Sequence, residues 1–311
     1  MVRVSSFGQQ TLLIRSIMDN QQKVFEGQRQ ISTGKKTDEF RGLAGETSTV
    51  LGSRSFKSRI ETYQQTIATI RGKLDANDVQ IEGMLGAMEQ LRETILTTVA
   101  TGQAEGFSEM LNQTFQFVNN SLNTNFDGTY MFSGAKTGTQ PVTVNSLSEL
   151  DAVVSGGGAI ADVFENGDVA FEARIADGVD LGFGILASEL GEDIFKEMLD
   201  LYQFDQGASG PFQGELTATQ FSFLQGQLQS LETSIDDLRQ IHVTNGLAFE
   251  RLEVVDEQHT DTSVFLEKFI ADIEDVDIAE AVTKLNNDQI ALEASYQSIS
   301  SLSQLTLLRF L

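Results

Sequence analysis

The sequence contains no cysteine, and its only prolines are Pro141 and Pro211. Without cysteine the chain has no disulfide, no thiolate metal site and no cysteine nucleophile. It also lacks any apolar run near the roughly 20 residues of a membrane-spanning helix, and residues 1–7 lack the hydrophobic core of a secretory signal peptide. We therefore expect no membrane partner, and any export must use a route without a cleaved signal.

The two prolines and a cluster of glycines mark out a middle segment. Residues 1–140 and 212–311 contain no proline, while 13 of the 27 glycines fall between Gly134 and Gly214. Because proline breaks helices and glycine favours turns, the outer parts are predicted to be long helices and the middle to be β-rich. The expected fold is mainly α with a β-rich insert (α+β), an elongated antiparallel bundle of long helices made from the N- and C-terminal segments.

Apolar spacing places the helices of this bundle. Apolar residues at intervals of three, four and seven predict helices over about 46–98, 107–126 and 216–258. In the middle segment, Asn166-Gly167 predicts a hairpin turn within 164–168, because both central residues of such a turn need positive φ. Val142 and Val144 indicate a further strand.

The last stretch, from Asp277 to the C-terminus, carries a seven-residue repeat. Asp277 followed by Glu280 is a capping-box pattern at a helix start. A repeat of this kind is typical of a helix that packs along another helix. The apolar row consists of Ile278, Leu285, Leu292 and Ile299, the row beside it includes Val282 and Tyr296, and the final apolar positions are Leu302, Leu305 and Leu308.

A matching repeat lies at the other end of the chain. Ile17, Val24 and Ile31 recur every seven residues, and Ile14 begins the row beside them. Both repeats are partly polar, so their burial compensates poorly for the entropy lost when two long helices become ordered. We predict that the two repeats form an assembly seam that needs partner helices on further sides. The alternative to an assembly seam is that the two repeats form an ordinary antiparallel helix pair inside one domain.

The net charge of −24 is unevenly distributed. Residues 1–75 carry 12 Lys/Arg and 7 Asp/Glu, and the remainder carries 9 basic and 38 acidic residues. A large acidic body repels phosphate, so we expect no nucleic-acid partner. The asymmetry would suit head-to-tail contact between copies, and it is equally compatible with a solvated surface that has a mildly basic end.

No motif indicates catalysis. His242 and His259 lack metal-ligand spacing, and Gly156-Gly157-Gly158 lacks the spacing of a nucleotide-binding loop. The acidic run 272–277 resembles a calcium loop only in charge, because it has neither the central glycine nor the closing glutamate. We therefore expect no enzyme activity, no cofactor and no metal site.

Both ends of the chain resemble one protein family. Segments 273–280, 288–292 and 305–308 resemble the C-terminal signature of bacterial flagellins and their junction relatives, and segment 30–36 resembles the N-terminal signature. The sequence Gly128-Thr129-Tyr130-Met131-Phe132-Ser133-Gly134 is similar to a motif typical of the hook–filament junction members, and we take Gly128, Tyr130, Phe132 and Gly134 as its marker residues. The resemblance covers roughly 1–135 and 216–311.

This resemblance implies an organisation and a set of partners. Residues 1–40 and 272–311 would be terminal assembly helices that are disordered in the monomer. Residues 41–135 and 213–271 would form the long-helix bundle, with a β-hairpin near 128–135, and residues 136–212 a β-rich outer insert. The protein would be exported through the flagellar secretion channel and assemble with copies of itself, with a neighbouring hook-associated protein and with flagellin, after contact with an export chaperone.

The resemblance implies a secreted structural component of the bacterial flagellum that joins the hook to the filament. Two alternatives remain open. The chain could be a flagellin that polymerises into the filament itself, or the insert could act as a binding module for a carbohydrate or a host surface.

Overall fold

The computed structural model describes residues 2–37 and 40–307, and most of them are helical. Two short 3₁₀ turns, Phe40–Glu46 and Ile160–Val163, lie between the longer elements. The helices are α1 (Val2–Thr33), α2 (Thr47–Thr101), α3 (Phe107–Leu122), α4 (Leu147–Ser155), α5 (Ala187–Gln206), α6 (Ala218–Glu274) and α7 (Ile278–Leu307). The strands are β1 (Asn125–Phe126), β2 (Thr129–Tyr130), β3 (Glu172–Ala176) and β4 (Val179–Gly182). The predicted fold class, mainly α with a β-containing insert, is confirmed.

The chain divides into two compact units. The first, which we call the terminal unit, combines the residues up to Arg59 with those from Asp261 onward; the second, the central unit, spans Ile60–Thr260. Within the described part of the chain, no helix combines the length and apolar character required to cross a bilayer.

The central unit has an extensive apolar core. Its larger cluster joins α2, α3, α5 and α6 with the segment around α4, and a smaller cluster joins α2 and α6 with the β3–β4 hairpin. The α2 residues recur at the helical spacing that the sequence shows, so one side of this long helix is buried over many turns. Core residues include Ile81, Met88, Leu91, Ile95, Phe115, Phe195, Leu231, Ile235 and Leu238.

The helix ends follow local chemistry. Helix α6 continues to Glu274, well past the predicted end near residue 258, because no glycine or proline occurs after Gly246. Helix α3 ends at Leu122 rather than near 126, since Asn125–Phe126 pairs with Thr129–Tyr130. The turn between these two strands places Asp127 and Gly128 at φ values of 53° and 77°, as a tight hairpin turn requires.

The predicted hairpin turn at Asn166-Gly167 is wrong. The Gly167 amide donates instead to the Ser133 carbonyl (2.8 Å), and the Asn166 side chain is engaged with Ser188, its Oδ1 accepting from the Ser188 amide. The hairpin of this region is β3–β4, which turns at Asp177-Gly178 with Gly178 at φ 73°.

Residues 136–212 contain more helix than strand. They hold α4, α5 and the β3–β4 hairpin, and Val142 forms an isolated antiparallel bridge with Phe164. Most of their buried apolar side chains belong to the core clusters of the central unit. This packing positions the segment by tertiary contacts rather than by a separate sheet.

Candidate assembly surface

Helices α1 and α7 lie antiparallel against each other in the terminal unit. The Asn20 amide donates to Ser295 Oγ (3.0 Å), and Gly27 lies against Leu285, whose Cδ1 would be 3.3 Å from a Cβ at that glycine. The residues that face the partner helix recur at alternating intervals of three and four, as in a coiled-coil contact. This inward stripe consists of Leu13, Ile17, Asn20, Val24, Gly27 and Ile31 from α1, with Ala281, Leu285, Asp288, Leu292, Ser295 and Ile299 from α7.

The residue that follows each inward position turns to one common side of the helix pair. Gln21 follows Asn20, Tyr296 follows Ser295, and the Gln21 amide donates to the Tyr296 hydroxyl at 2.6 Å. In an antiparallel pair, a step of one residue rotates both helices toward the same side. We call this the Tyr296 side; it comprises Ile14, Met18, Gln21, Phe25, Gln28, Ser32, Val282, Asn286, Gln289, Glu293, Tyr296 and Ser300.

The Tyr296 side carries five large apolar side chains that are exposed in the single chain, among polar residues that include Glu293. Met18 and Phe25 are each 64% exposed, Tyr296 is 46% exposed and Val282 is 41% exposed. Large apolar side chains on one continuous face indicate a surface that another molecule covers.

The opposite side of the pair, which we call the Lys23 side, is mostly polar. It is formed by the residues that precede each inward position, and Leu12 is its large apolar member. Its polar residues are Ser16, Asp19, Lys23, Glu26, Glu280, Lys284, Asn287 and Ser298. The helix pair is therefore one-sided: most of its large exposed apolar side chains lie on the Tyr296 side and most of its charges lie on the Lys23 side.

The terminal unit lacks the kind of core seen in the central unit. Among the residues of α1 and α7 whose side chains the structure describes, only Gly27 and Ala281 are buried. Neither apolar core cluster includes a described residue of the terminal unit. A helix pair that buries so little apolar surface gains little stability from its own contacts.

A short two-stranded contact ties the α1–α2 connection to the α6–α7 connection. Helix α1 ends on Gly34, which has φ 71° and donates its amide to the Gln30 carbonyl (2.9 Å), as a glycine cap does. The Lys36 amide donates to the Glu274 carbonyl (2.7 Å), and the Val276 amide donates to the Gly34 carbonyl (2.9 Å). Both connections are thereby held together by backbone hydrogen bonds.

Glu274 is the charged centre of this contact. Glu274 is 6% exposed, and its carboxylate accepts hydrogen bonds from Lys35 Nζ (2.9 Å) and Arg54 Nη2 (2.6 Å). Burial alone would raise the pKa of Glu274, but the hydrogen bonds and charges of Lys35 and Arg54 outweigh burial and hold the pKa below its ordinary value. Sequence reasoning missed this site; the available signal was a glutamate at the end of a long helix beside a predicted cap.

Asp277 lies at the start of α7. Its Oδ1 accepts from the amides of Ala279 (2.8 Å) and Glu280 (3.2 Å), which satisfies two of the free N–H groups at the helix start. Within residues 2–37 and 40–307, no group of histidine and acidic side chains has a geometry that could hold a metal ion.

The remaining seam residues occupy different environments. Ile17, Val24, Ile31, Leu285, Leu292 and Ile299 are half-buried in the inward stripe, whereas Ile14, Val282 and Tyr296 lie on the Tyr296 side, and Ile278 is exposed at the first turn of α7. Leu302 and Leu305 continue α7, and their side chains are not described; Leu308 lies outside the described residues.

The marker motif at 128–134 lies in the central unit and anchors the segment that follows it. The Phe132 side chain is fully buried, and its carbonyl accepts from the Ala187 amide at the start of α5 (2.9 Å). Gly134 has φ 56°, and a Cβ there would lie 2.6 Å from Leu186 and 2.7 Å from the Val169 carbonyl. Glycine at 134 therefore permits a close approach that a larger residue would block. Tyr130 donates its amide to the Thr137 carbonyl (3.0 Å).

Two family models match the chain. The model of the bacterial flagellin N-terminal helical region matches residues 4–137, and the model of the C-terminal helical region matches residues 228–311. Together these ranges cover more than two thirds of the sequence. No curated protein sequence matches the chain.

Solved structures share the fold. A candidate flagellar hook-associated protein from Vibrio parahaemolyticus superposes with a TM-score of 0.59 at 17% identity, covering 74% of this chain and 97% of that one. FlgL from Bacillus cereus superposes with a TM-score of 0.55 at 15% identity, covering 70% of this chain and 98% of that one.

Proposed function

The chain belongs to the bacterial flagellin family, whose members are structural proteins of the flagellum, and from that premise we propose that it joins the hook to the filament. It does so as an axial subunit that assembles side by side with copies of itself through α1 and α7. Its further partners are the neighbouring hook-associated protein on one side and flagellin on the other.

The one-sided helix pair is the observation that carries this proposal. The Tyr296 side leaves Met18, Phe25 and Val282 exposed, and the terminal unit has no core cluster among its described residues. Ordering of residues 1–40 and 272–311 is then coupled to association, because neighbouring subunits supply the buried apolar area that a single chain lacks.

Two observations favour a junction subunit. The marker motif at 128–134 is similar to one typical of that branch, and the two solved structures described above are a candidate hook-associated protein and an FlgL. At 15–17% identity these structures establish a common fold and leave the position in the flagellum as a proposal. A filament-forming flagellin is the second candidate, since both family models are named for flagellin.

Seeded growth separates these two functions. Purified protein is added to short filament fragments, and the lengths are followed by electron microscopy. A junction subunit adds a limited number of copies and then stops, whereas a flagellin extends the fragments to micrometre length and would contradict the proposal. Deletion of the gene gives a second readout: a junction role predicts hooks without filaments and flagellin released into the medium.

The same proposal places the working protein outside the cell. It reaches that position unfolded, through the flagellar export channel and with a dedicated chaperone that shields the terminal helices before export. Exposed apolar residues on the Tyr296 side give such a chaperone a surface to cover.

A further inference from the structure

Four places in the sequence have asparagine or aspartate directly before glycine: Asp127-Gly128, Asn166-Gly167, Asp177-Gly178 and Asn245-Gly246. In such a pair the glycine nitrogen can attack the side-chain carbonyl carbon of the preceding residue and close a five-membered succinimide ring, because glycine has no Cβ to obstruct the approach. Ring closure requires that both the nitrogen and the side chain are free to move. All four pairs lie in the described part of the chain, and they differ in this freedom.

The pair Asn166-Gly167 is held at both reacting groups. The Asn166 Oδ1 accepts from the Ser188 amide (3.2 Å), and the Gly167 amide donates to the Ser133 carbonyl (2.8 Å). A Cβ on Gly167 would lie 3.0 Å from the Ala135 amide nitrogen, so the surroundings are also closely packed. Ring closure here would have to break hydrogen bonds of the side chain and of the backbone.

The pair Asn245-Gly246 is held by helix α6. Gly246 lies in the interior of this helix, where its amide belongs to the helical hydrogen bonds. The Asn245 side chain is buried, and its amide nitrogen donates to the Leu74 carbonyl (3.1 Å). Ring closure at this pair would therefore require local unfolding of the helix.

Both aspartate pairs form the two-residue turn of a hairpin. Asp127-Gly128 joins β1 to β2, and Asp177-Gly178 joins β3 to β4. Gly128 has φ 77° and Gly178 has φ 73°, all four turn residues are exposed, and a Cβ on either glycine would meet no atom within 4 Å. The two turns are therefore a matched pair inside one molecule.

The two aspartates differ in what holds them. The Tyr63 hydroxyl donates to Asp177 Oδ1 (2.9 Å) and ties this carboxylate to α2. Within residues 2–37 and 40–307, no group donates to the Asp127 carboxylate and none accepts from the Gly128 amide. Asp127 also has φ 53°, a backbone conformation that is unfavourable for residues with a side chain. Its carboxyl group is thus free to turn toward the Gly128 nitrogen.

We propose that Asp127-Gly128 is a site of self-modification that converts Asp127 into isoaspartate, and that the Tyr63 hydroxyl keeps Asp177 from the same reaction. The Gly128 nitrogen bonds to Cγ of the protonated Asp127 side chain while the Cγ–OH bond breaks, and the amide proton leaves with the hydroxyl group as water. Water then opens the ring. Opening at Cγ restores Asp127, whereas opening at the main-chain carbonyl leaves Gly128 attached through Cγ. The product is an isomer of the original chain, so water is the only other reactant.

The isomer no longer fits the turn. Its backbone runs through Cβ and Cγ of residue 127 and is one methylene longer, whereas the length of a hairpin turn sets the register of its strands. Strand β2 leads directly into the marker motif, where the Tyr130 amide donates to the Thr137 carbonyl (3.0 Å) and the Met131 amide to the Thr124 carbonyl (3.1 Å). Isoaspartate formation is therefore expected to loosen residues 124–137 as a subunit ages.

The test incubates the folded, full-length protein in H₂¹⁸O at neutral pH. Each ring opening adds one oxygen atom from the solvent, so a passage through the ring labels the residue even when aspartate is restored. The protein is then digested in ordinary water, and mass spectrometry gives the labelled fraction at each of the four pairs. We expect label to appear first at Asp127, well before Asp177, Asn166 and Asn245.

Two substitutions act on the matched turns. Tyr63→Phe removes the hydroxyl but keeps a ring to stack on His259, and it should raise the labelling rate of Asp177 roughly fivefold, as for the loss of one hydrogen bond. Asp127→Asn suits the same turn and should be labelled roughly tenfold faster than the parent residue, because an amide, unlike a carboxylate, carries no charge at neutral pH. Asp127→Glu is the control and should take up no label, since its longer side chain would have to close a larger ring.

Unfolded protein in guanidinium chloride separates the effect of the fold from that of the sequence. All four pairs are free in the unfolded chain, and Asn166 and Asn245 should then be labelled before both aspartates, because their side chains are uncharged. The folded and unfolded protein should therefore give opposite orders of labelling.

Any of four results would overturn the proposal: no label at Asp127 in the folded protein, equal labelling of Asp127 and Asp177, label at either asparagine before Asp127, or an unchanged rate at Asp177 in Tyr63→Phe. Circular dichroism checks that Tyr63→Phe is folded. The comparison of Asp127 with Asp177 in the parent protein decides the matter if it is not.

Discussion

At the scale of single residues, Glu274 shows how much depends on distant partners. Lys35 and Arg54 reach its carboxylate from positions 239 and 220 residues earlier in the chain. In the sequence, Glu274 is one acid in a run of several, and local pattern does not distinguish the buried one. Asp277 could be predicted as a cap because capping depends on the next few residues alone; Glu274 could not, since its role depends on the return of a separate segment.

Replacing Glu274 by Gln is expected to loosen the contact between the two connections. The lowered pKa means that the stabilising ionised form is fully present above the ordinary carboxylate pKa and is lost as pH falls through the lowered value. Loss of the charge should cost about 1 kcal/mol, since Lys35 and Arg54 are partly solvated. Hydrogen exchange at the Lys36 and Val276 amides should therefore be roughly fivefold faster than in the parent at pH 7.

The ratio of variant to parent exchange should approach one in strongly acidic solution, where the parent carboxylate is also protonated. Asp272→Asn is the matched control, because Asp272 lies in the same acidic run and its side chain is exposed. An equal effect of the two substitutions at pH 7 would show that net charge, rather than the paired carboxylate, holds the contact.

At the scale of elements, the sequence predicts the terminal helices well, but it predicts only in part which of their faces turn outward. The seven-residue repeat belongs to the sequence itself, so Ile17, Val24 and Leu292 could be assigned to a helix contact. Which neighbouring row turns outward depends on the register between α1 and α7, and the Gln21–Tyr296 hydrogen bond reveals it. The hairpin prediction for residues 164–168 was wrong because a distant contact decides the local structure: the Gly167 amide donates to the Ser133 carbonyl, far away in sequence.

The two sides of the helix pair should respond differently to an added charge. Val282→Asp places a carboxylate beside the large apolar side chains of the Tyr296 side, where burial by a neighbouring subunit would be costly. Asn287→Asp places the same charge on the Lys23 side of the same helix, and both positions are exposed in the single chain. We expect Val282→Asp to reduce incorporation into hooks at least tenfold, on the basis of about 2 kcal/mol for an unpaired charge at an interface.

Incorporation is measured by immunoblotting of isolated hooks, with secreted protein as the control for export. Asn287→Asp should incorporate as the parent does. If both variants were incorporated equally, or lost equally, the prediction that the Tyr296 side is the face buried by neighbouring subunits would be contradicted.

At the scale of the whole molecule, the apolar cores lie in one unit and the exposed apolar helix pair lies in the other. The long-helix class could be inferred from proline and glycine placement, because these residues act locally. The arrangement of residues 136–212 could not, since their helices and hairpin are positioned by contacts with α2, α3 and α6.

Limited proteolysis of the monomer should reflect this division. Trypsin is expected to cut first before about residue 40 and after about residue 270, at Lys23, Arg29 and Lys284. Cleavage at Arg71 and Lys73, within the central unit, should be slower by roughly an order of magnitude, because opening a cored unit costs more free energy. Mass spectrometry of the early fragments gives the order of cleavage. First cuts at Arg71 or Lys73 would contradict the prediction that the terminal unit opens more easily than the central unit.

The pairing of α1 with α7 has a consequence for unfinished polypeptides. Because one face is contributed jointly by the first and the last helix, a chain that terminates before Ile278 carries only half of it. A truncated copy thus cannot present the complete docking face to its neighbours, and completeness of synthesis becomes a condition for entry into the polymer.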